Sequence, residues 1–230
     1  MKNIAIITAG GCGSRLKSDR KKQFMEIMDR PILFWTIDKF VNIPHIDRLI
    51  ITLPPDAIAQ YRIAIKKEFT NSNIKIVKGG KSRKSSVYNG LISCPQNTDY
   101  VLIHDGVRPF IAEKDIKRLL RKAVKEKAVI PVSHIKNTIK EIAKKKITKT
   151  VPRENLYNAL TPQIFEYNTI FNLTKKILNK DIHFTDDASI LEYFKFPVST
   201  LECDPINFKI TDRSDLKIAK LIIKDKFQEK

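Results

Sequence analysis

The sequence predicts an α/β fold, a three-layer sandwich around a mostly parallel sheet with a projecting β-hairpin arm. Three observations lead to this prediction. Apolar, β-branched runs alternate with segments of helical period, which is typical of consecutive βαβ units. Six of the 7 glycines lie at three places, and each place follows a predicted strand. One polar segment, at about 133–156, interrupts the alternation.

The first half of the chain alternates strands and helices. "NIAIITA" predicts a buried first strand, and "RLIITL" and "IKIV" predict the second and third. Helical spacing of apolar residues predicts a helix from Leu33 to Val41, with Pro31 suited to its first turn. Ile58, Tyr61 and Ile65 mark one face of a second helix, and "SSVYNGLI" opens a third.

The second half continues the pattern around one interruption. "YVLIH" predicts a fourth strand that ends at His104 and Asp105, and an amphipathic helix from Ile116 to Val124 precedes the strand "AVIPV". Further helices are predicted near "EYNTIFNLTKKIL" and "DDASILEYF", then a strand "VSTLE" and a final helix from about Asp212. No linker or repeat is visible, so we expect a single domain over residues 1–230.

The interrupting segment reads "SHIKNTIKEIAKKKITKTVPREN" and holds two short β-like runs around a lysine turn. It is too polar to build a core of its own. We therefore expect a hairpin arm at about 133–156 that projects from the domain and is either flexible or packed on a partner subunit.

Composition narrows the class of protein. Hydrophobic residues make up 42% of the chain, no apolar run approaches membrane-spanning length, and the first residues lack a signal-peptide cleavage pattern. We therefore expect a cytoplasmic protein with no membrane partner. Cys12, Cys94 and Cys203 form no CxxC pair, so neither a disulfide framework nor a zinc site is indicated.

The net charge of +18 raises the alternative of a polyanion-binding protein. Lysine dominates this charge, and no basic stretch is interleaved with aromatic residues that would stack on bases. We therefore favour a solvated lysine-rich surface over nucleic acid as a partner.

The stretch "IITAGGCGSR" runs from the first strand into a glycine-rich loop. It lacks the third glycine of the GxGxxG dinucleotide motif, and it lacks the Gly-Lys-Ser/Thr ending of a P-loop. What remains is a row of backbone N–H groups followed by Arg15, Lys21 and Lys22. Backbone donors, a guanidinium and ammonium groups together suit a triphosphate.

Eight motifs then occur in a specific order: "AGGCGSR", "KKQF", "GGKSRKSSV", "HDGVRPF", "NTIK", "TPQIF", "TDDAS" and "NFKIT". In this order, from residue 4 to about residue 220, the chain resembles the 2-C-methyl-D-erythritol 4-phosphate cytidylyltransferase family of isoprenoid precursor synthesis. The resemblance implies a Rossmann-like three-layer sandwich of nucleotidyltransferase type. It also implies a Mg²⁺-dependent transfer of CMP from CTP to a polyol phosphate, with release of pyrophosphate.

The related ribitol-5-phosphate cytidylyltransferases, which make CDP-ribitol, are the alternative. Gly10, where isoprenoid enzymes commonly have alanine, and "HDGVRPF" are closer to those relatives. Lys21, in place of a usual proline, and the absence of a glycine before "NFK" are further departures. "NTIK", "SSV" and "TDDASILEY" favour methylerythritol phosphate as the acceptor, which is our main prediction.

The resemblance assigns roles to individual residues. The catalytic cations are Arg15, Lys22 and Lys209. The nucleotide-binding residues are Ala9, Gly10, Gly11, Gly13, Gly80 and Ser86. The substrate-binding residues are Asp105, Arg108, Thr138, Arg153 and Thr161.

Further roles follow from the same resemblance. Asp105 is the expected metal-side carboxylate, and a homodimer exchanges arms so that Thr138 and Arg153 reach the neighbouring site. We interpret His104 as structural and Arg83 as a scaffold of its loop. Asp186 and Asp187 are interpreted as an acidic cluster that caps a helix together with Thr185.

Overall fold

The computed structural model describes residues 1–10, 21–70 and 72–228. The strands in these ranges are β1 (Asn3–Thr8), β2 (Glu26–Ile27), β3 (Arg30–Pro31), β4 (Arg48–Leu53), β5 (Ile74–Lys78), β6 (Tyr100–Asp105), β7 (Ala128–His134), β8 (Ile139–Ala143), β9 (Lys146–Val151), β10 (Tyr157–Ala159), β11 (Gln163–Glu166) and β12 (Ser199–Glu202).

Helices connect most of these strands. They are α1 (Ile32–Val41), α2 (Ile58–Glu68), α3 (Arg83–Leu91), α4 (Glu113–Glu126), α5 (Tyr167–Ile177), α6 (Ala188–Tyr193) and α7 (Arg213–Gln228), with a short 3-10 helix at Lys22–Phe24. Every helix and strand named from the sequence is therefore present. Among the described residues no helix is long and apolar enough to cross a membrane.

The central sheet has eight strands. Seven follow the order β10-β7-β11-β6-β1-β4-β5, and the eighth, β12, also pairs with β7. β1 runs parallel to both β4 and β6, and β4 runs parallel to β5. β11 is antiparallel to both β6 and β7, and β10 is antiparallel to β7. The mostly parallel sheet is confirmed.

Two strands of this sheet, β10 and β11, lie outside the sequence prediction. β10 has three exposed residues, and β11 begins with the polar Gln163, so neither shows the apolar run that marks the other strands. β11 forms because its position between β6 and β7 satisfies its backbone groups on both sides. Tertiary pairing, not local preference, makes this segment a strand.

The sheet separates two hydrophobic cores, because alternate residues of a strand face opposite sides. Ala5 and Ile7 of β1 pack with α1, α2 and α4. Ile4 and Ile6 pack with α3, α5 and α6. The predicted three-layer sandwich is therefore present, and the loops at the carboxyl ends of its strands share one edge.

The predicted arm is a two-stranded hairpin, β8 paired with β9, outside the central sheet. Its turn contains Lys144 and Lys145, which both have positive φ. Ile142 and Ile147 form a cross-strand pair, yet their side chains are 62% and 64% exposed. The arm thus leaves apolar surface uncovered by its own chain.

Candidate functional site

The glycine loops meet at one edge of the sheet, as predicted. Gly10 follows β1, Gly79 and Gly80 follow β5, and Gly106 follows β6. A Cβ atom on Gly79 would lie 3.4 Å from the Cα atom of Gly10. Loops from neighbouring parallel strands form the ligand crevice in folds of this type.

Ser86 joins two of these loops at the start of α3. Its Oγ accepts a hydrogen bond from the Gly80 backbone N–H at 3.0 Å and donates to the Ser82 carbonyl at 2.9 Å. Ser82 and Ser85 form a capping box at the N-terminus of the helix. A Cβ atom on Gly80 would lie 2.1 Å from the Ser85 Oγ, so this turn requires glycine.

A cleft with a volume of about 130 Å³ opens between these loops. Its described lining combines loop residues, cations and one carboxylate: Thr8, Ala9, Gly10, Lys22, Gln23, Arg83, Ser86, Asp105, Val107 and Lys209. The structure therefore brings together six of the residues predicted for catalysis, nucleotide binding and metal binding. Gly80 lies directly behind this lining, through its bond to Ser86.

The short helix at Lys22–Phe24 holds Lys22 at the cleft. Gln23 is buried, and its side-chain N–H donates to the Ala9 carbonyl at 2.6 Å, next to the end of β1. Phe24 stacks on Tyr61 of α2 with ring centroids 3.7 Å apart. A hydrogen bond and a buried ring, on the two residues that follow Lys22, thus anchor the helix.

Asp105 ends β6 and is surrounded by three cations. Its Oδ2 lies 3.0 Å from the Lys209 ammonium and 3.1 Å from Arg108 Nε, and its Oδ1 lies 3.8 Å from Arg83 Nε. Burial by itself would raise the pKa of Asp105, but Lys209, Arg83 and Arg108 outweigh burial and hold this pKa far below its ordinary value. Asp105 is therefore an anion at the floor of the cleft.

Arg108 orders the loop rather than lining the described part of the cleft. It is buried, and besides its contact with Asp105 it donates through Nη1 to the Asn207 carbonyl at 2.9 Å. The Asn207 amide donates in turn to the Thr161 carbonyl at 2.7 Å. These bonds fix the segment that presents Lys209, two residues after Asn207.

Thr161, a predicted substrate-binding residue, lies behind Asp105. This residue is buried and does not line the described part of the cleft. Its Oγ1 accepts from the Asp105 backbone N–H at 3.2 Å and lies 2.9 Å from His104 Nδ1. Its place one strand behind Asp105 follows from β11 pairing with β6, which the sequence pattern did not predict.

His104 is structural, as predicted, because it is fully buried. Its Nε2 lies 3.0 Å from the Arg108 carbonyl, which can only accept, so we assign the proton to Nε2. Nδ1 then accepts from the Thr161 hydroxyl. Burial lowers the pKa of His104 to about 4, so the ring is neutral at pH 7.

The predicted helix cap at Asp186 and Asp187 is partly wrong. Asp186 does accept from the Ser189 backbone N–H at 3.0 Å, but the side chain of Asp187 makes no capping bond at α6. The two carboxylate oxygens of Asp187 instead accept hydrogen bonds from the two terminal nitrogens of Arg83, at 2.8 and 2.7 Å. The two residues are 104 positions apart, so sequence spacing gave no signal for this pair.

Other predicted site residues lie elsewhere. Thr138 and Arg153 are exposed at the root of the arm, where an Arg153 nitrogen donates to the Lys136 carbonyl, and neither lines the described cleft of its own chain. Gly11, Gly13 and Arg15 lie outside the described residues.

The residues of the cleft fit a magnesium ion that arrives with a triphosphate. No group of three or more His, Cys, Asp or Glu side chains in the described ranges could hold a metal by itself. Asp105 is the single carboxylate in the described lining, and its Oδ1 makes only the 3.8 Å approach to Arg83. Mg²⁺ is commonly held by one or two carboxylates together with substrate phosphates, which matches this arrangement.

A second cavity of about 410 Å³ lies at the opposite end of the sheet, beside Asn3 of β1 and Leu120 of α4. It is larger than the cleft, but it borders the amino end of β1. Ligands of such sheets bind at the carboxyl ends of strands, so the smaller cleft is the better candidate.

Glycine loops, cations and one carboxylate meet at the carboxyl edge of a mostly parallel sheet, an arrangement typical of the class of α/β enzymes that bind phosphorylated ligands. The family model described as "IspD: 2-C-methyl-D-erythritol 4-phosphate cytidylyltransferase" matches residues 3–225. The chain therefore belongs to the 2-C-methyl-D-erythritol 4-phosphate cytidylyltransferase family, whose members are nucleotidyltransferases.

Individual relatives agree with this assignment. The chain is 35% identical over 225 residues to the 2-C-methyl-D-erythritol 4-phosphate cytidylyltransferase of Endomicrobium trichonymphae, covering 97% of this chain and 100% of the relative. It is 37% identical to that of Clostridium novyi (strain NT), with 97% of each covered. The crystal structure of 4-diphosphocytidyl-2C-methyl-D-erythritol synthase from Anaerococcus prevotii superposes with a TM-score of 0.85 at 30% identity, covering 97% of this chain and 98% of that one.

Proposed function

We propose that this protein transfers CMP from CTP to 2-C-methyl-D-erythritol 4-phosphate, giving CDP-methylerythritol and pyrophosphate in isoprenoid precursor synthesis. The observation that carries the proposal is a cleft that joins Lys22, Lys209 and Asp105 in a chain matched by the family over residues 3–225. An acceptor phosphate oxygen attacks the α-phosphorus of CTP. A P–O bond forms there as the bond to the pyrophosphate oxygen breaks.

The reaction requires charge stabilisation more than proton transfer. The attacking phosphate is already ionised, so no general base is needed, and the neutral His104 is buried away from the cleft. Two anions must approach each other, which pre-positioned cations make favourable. Lys22 and Lys209 lie in the cleft for this purpose, and Arg15 is proposed as the third cation.

The glycine loops are proposed to hold the nucleotide. Ala9 and Gly10 line the cleft, and the backbone around Ala9, Gly10 and Gly80 is proposed to read cytosine, while Ser86 keeps the Gly80 loop in place. The N–H groups of Gly11 and Gly13 are proposed to cradle the triphosphate.

A divalent cation, Mg²⁺ by preference, is the proposed cofactor. When bound, it would neutralise triphosphate charge that would otherwise repel the incoming acceptor. Asp105 is the residue that would hold it, together with phosphate oxygens.

Methylerythritol phosphate is favoured over ribitol 5-phosphate as the acceptor. The family model and the curated relatives at 33–37% identity all carry the methylerythritol phosphate name, in spite of Gly10 and Lys21. In the structure, Lys21 pairs with Asp56 on the surface, which places its charge away from the described cleft.

The working form is proposed to be a homodimer with exchanged arms. The exposed apolar residues Ile142 and Ile147 near the tip of the arm are proposed to need a covering surface, and Thr138 and Arg153 at its root do not line the described cleft of their own chain. A neighbouring subunit would supply the cover, and Arg153 would then bind the acceptor phosphate there.

We propose that the enzyme works in the cytoplasm. Its substrate CTP belongs to that compartment, and the described Cys94 and Cys203 are free thiols, as is usual in a reducing environment.

The experiment that tests the function combines purified protein, CTP and Mg²⁺ with either acceptor. Pyrophosphate release and the mass of the CDP-alcohol are measured. We expect product with methylerythritol phosphate and a much lower kcat/KM with ribitol 5-phosphate. The reverse preference would reassign the acceptor, and no product with either would contradict cytidylyl transfer.

A further inference from the structure

We propose that Arg83, held in place by Asp187, is a positioning residue that keeps the Asp105 carboxylate oriented at the floor of the cleft. This inference rests on the proposed transfer reaction. It concerns how the Asp105 carboxylate keeps its place while substrates bind and leave.

Arg83 is the first residue of α3, directly behind the Gly79-Gly80 loop. Both terminal nitrogens of its guanidinium are bound to Asp187, at 2.8 and 2.7 Å, so its planar fork is not turned to the cleft. Its Nε edge faces Asp105 Oδ1 at 3.8 Å. Arg83 can therefore act on the reaction through Asp105 rather than by gripping a phosphate with its fork.

Asp187 is itself fixed by the sheet. Its side chain is 1% exposed, and the backbone N–H groups of Asp187 and Ala188 both donate to Gln163 Oε1, at 3.0 and 2.9 Å. Gln163 begins β11, and its partner in β6 is Ile103, two residues before Asp105. The contacts thus run from Asp105 of β6 through Arg83 and Asp187 to Gln163 of β11. β6 and β11 are neighbouring strands.

The arrangement meets a requirement of the reaction. Asp105 Oδ2 is shared by Lys209 and Arg108, but Lys209 must also reach the phosphates when they arrive. If Lys209 alone set the position of the carboxylate, the carboxylate would move whenever the lysine did. Arg83 on Oδ1 and Arg108 on Oδ2 keep it in place independently of Lys209.

The test compares three variants of the full-length protein. Asp187→Asn removes the charge that holds the guanidinium and keeps the side-chain shape. The double variant Arg83→Gln with Asp187→Asn removes both charges, so no buried charge is left unpaired. Asp115→Asn is the matched control, because Asp115 is also buried, also pairs with one arginine, Arg118, and lies on α4 outside the described cleft lining.

For each variant we measure kcat at saturating substrates, the CTP dissociation constant by calorimetry, the fraction of binding-competent protein and the Tm. We expect kcat per competent site to fall about 10- to 100-fold in Asp187→Asn, with the CTP dissociation constant unchanged. The double variant is expected to lose no more, because the two residues act as a unit. Asp115→Asn is expected to lower the Tm and leave kcat per site unchanged.

Three results would overturn the inference. Wild-type kcat per competent site in Asp187→Asn would leave Arg83 and Asp187 with a structural role only. Weaker CTP binding with unchanged kcat would make Arg83 a nucleotide ligand, and a further loss of kcat in the double variant beyond that in Asp187→Asn would separate the two residues. Failure of the wild-type protein to transfer CMP would instead contradict the proposed function, so the two failures are distinguishable.

Discussion

The cleft and the arm differ in what holds their functional side chains. In the cleft, Asp105 is buried among three cations, each with a measured contact inside the same chain. On the arm, Thr138 and Arg153 at the root are exposed, and the apolar pair Ile142 and Ile147 near the tip is more than 60% exposed. The cleft is preorganised by its own fold, whereas the arm leaves its functional side chains exposed.

This difference indicates what each region must do when a ligand or partner binds. A preorganised site carries its charges at fixed positions, so the reaction pays little to reorganise them. An exposed arm residue keeps its side-chain freedom until a partner orders it. We therefore expect cleft variants to change the chemical step or the fold, and arm variants to change association and acceptor binding.

The largest expected effect comes from the cleft. Lys22→Ala removes a cation from the place where two phosphates meet, and we expect kcat to fall about a thousandfold with little change in Tm. Lys21→Ala is the matched control, since its ammonium pairs with the exposed Asp56 on the surface, and near-wild-type kcat is expected. Equal losses in the two variants would mean that the cleft is assigned to the wrong loop.

The next effect is a pH dependence of stability caused by His104, the buried residue that precedes Asp105. The pKa of His104 is about 4 in the fold against an ordinary 6.5, so the unfolded chain binds more protons between these values. The free energy of unfolding should therefore be at its full value above pH 6.5. It should fall by about 3 kcal/mol as the pH drops to 4.

Chemical denaturation at a series of pH values measures this dependence. His104→Gln should flatten that part of the profile. A profile that is unchanged in His104→Gln would show that other groups cause the acid sensitivity.

A smaller effect is expected from the arm. Arg153→Ala removes a charged hydrogen-bond donor proposed for the acceptor phosphate, so the KM for methylerythritol phosphate should rise roughly ten- to thirtyfold while the KM for CTP stays near wild type. Mixed dimers with one variant subunit should show one impaired site each. Equal rises in both KM values would argue against arm exchange.

The smallest effect tests whether the arm needs a partner. Ile147→Ser removes apolar surface that the fold leaves uncovered, and we expect dimerisation to weaken by about 1–2 kcal/mol without a change in monomer unfolding. Sedimentation at several concentrations measures it. Ile63→Ser, at an equally exposed isoleucine on α2, is the control and should leave association unchanged. A wild-type protein that sediments as a monomer would contradict the exchanged dimer.

Local patterns in the sequence predicted most of the helices and strands. Periodicity identified β1, β4, β5 and β6 and the helices between them, because these segments are apolar and continuous. The glycine loops after β1, β5 and β6 then predicted which edge carries the site. The short strands β10 and β11 were not predicted from the sequence. β10 has three exposed residues, and β11 has only two apolar residues between Gln163 and Glu166.

The sequence by itself therefore determined the family, the edge of the sheet that carries the candidate cleft and the residue types of that cleft, since each depends on motifs a few residues long. Only the tertiary structure decided how those residues pair. β11 inserted between β6 and β7, and this placed Thr161 behind Asp105 and Asp187 opposite Arg83. Such pairs join residues 56 and 104 positions apart. Packing of the sheet selects them, because a buried charge is stable only beside a partner that the fold brings to it.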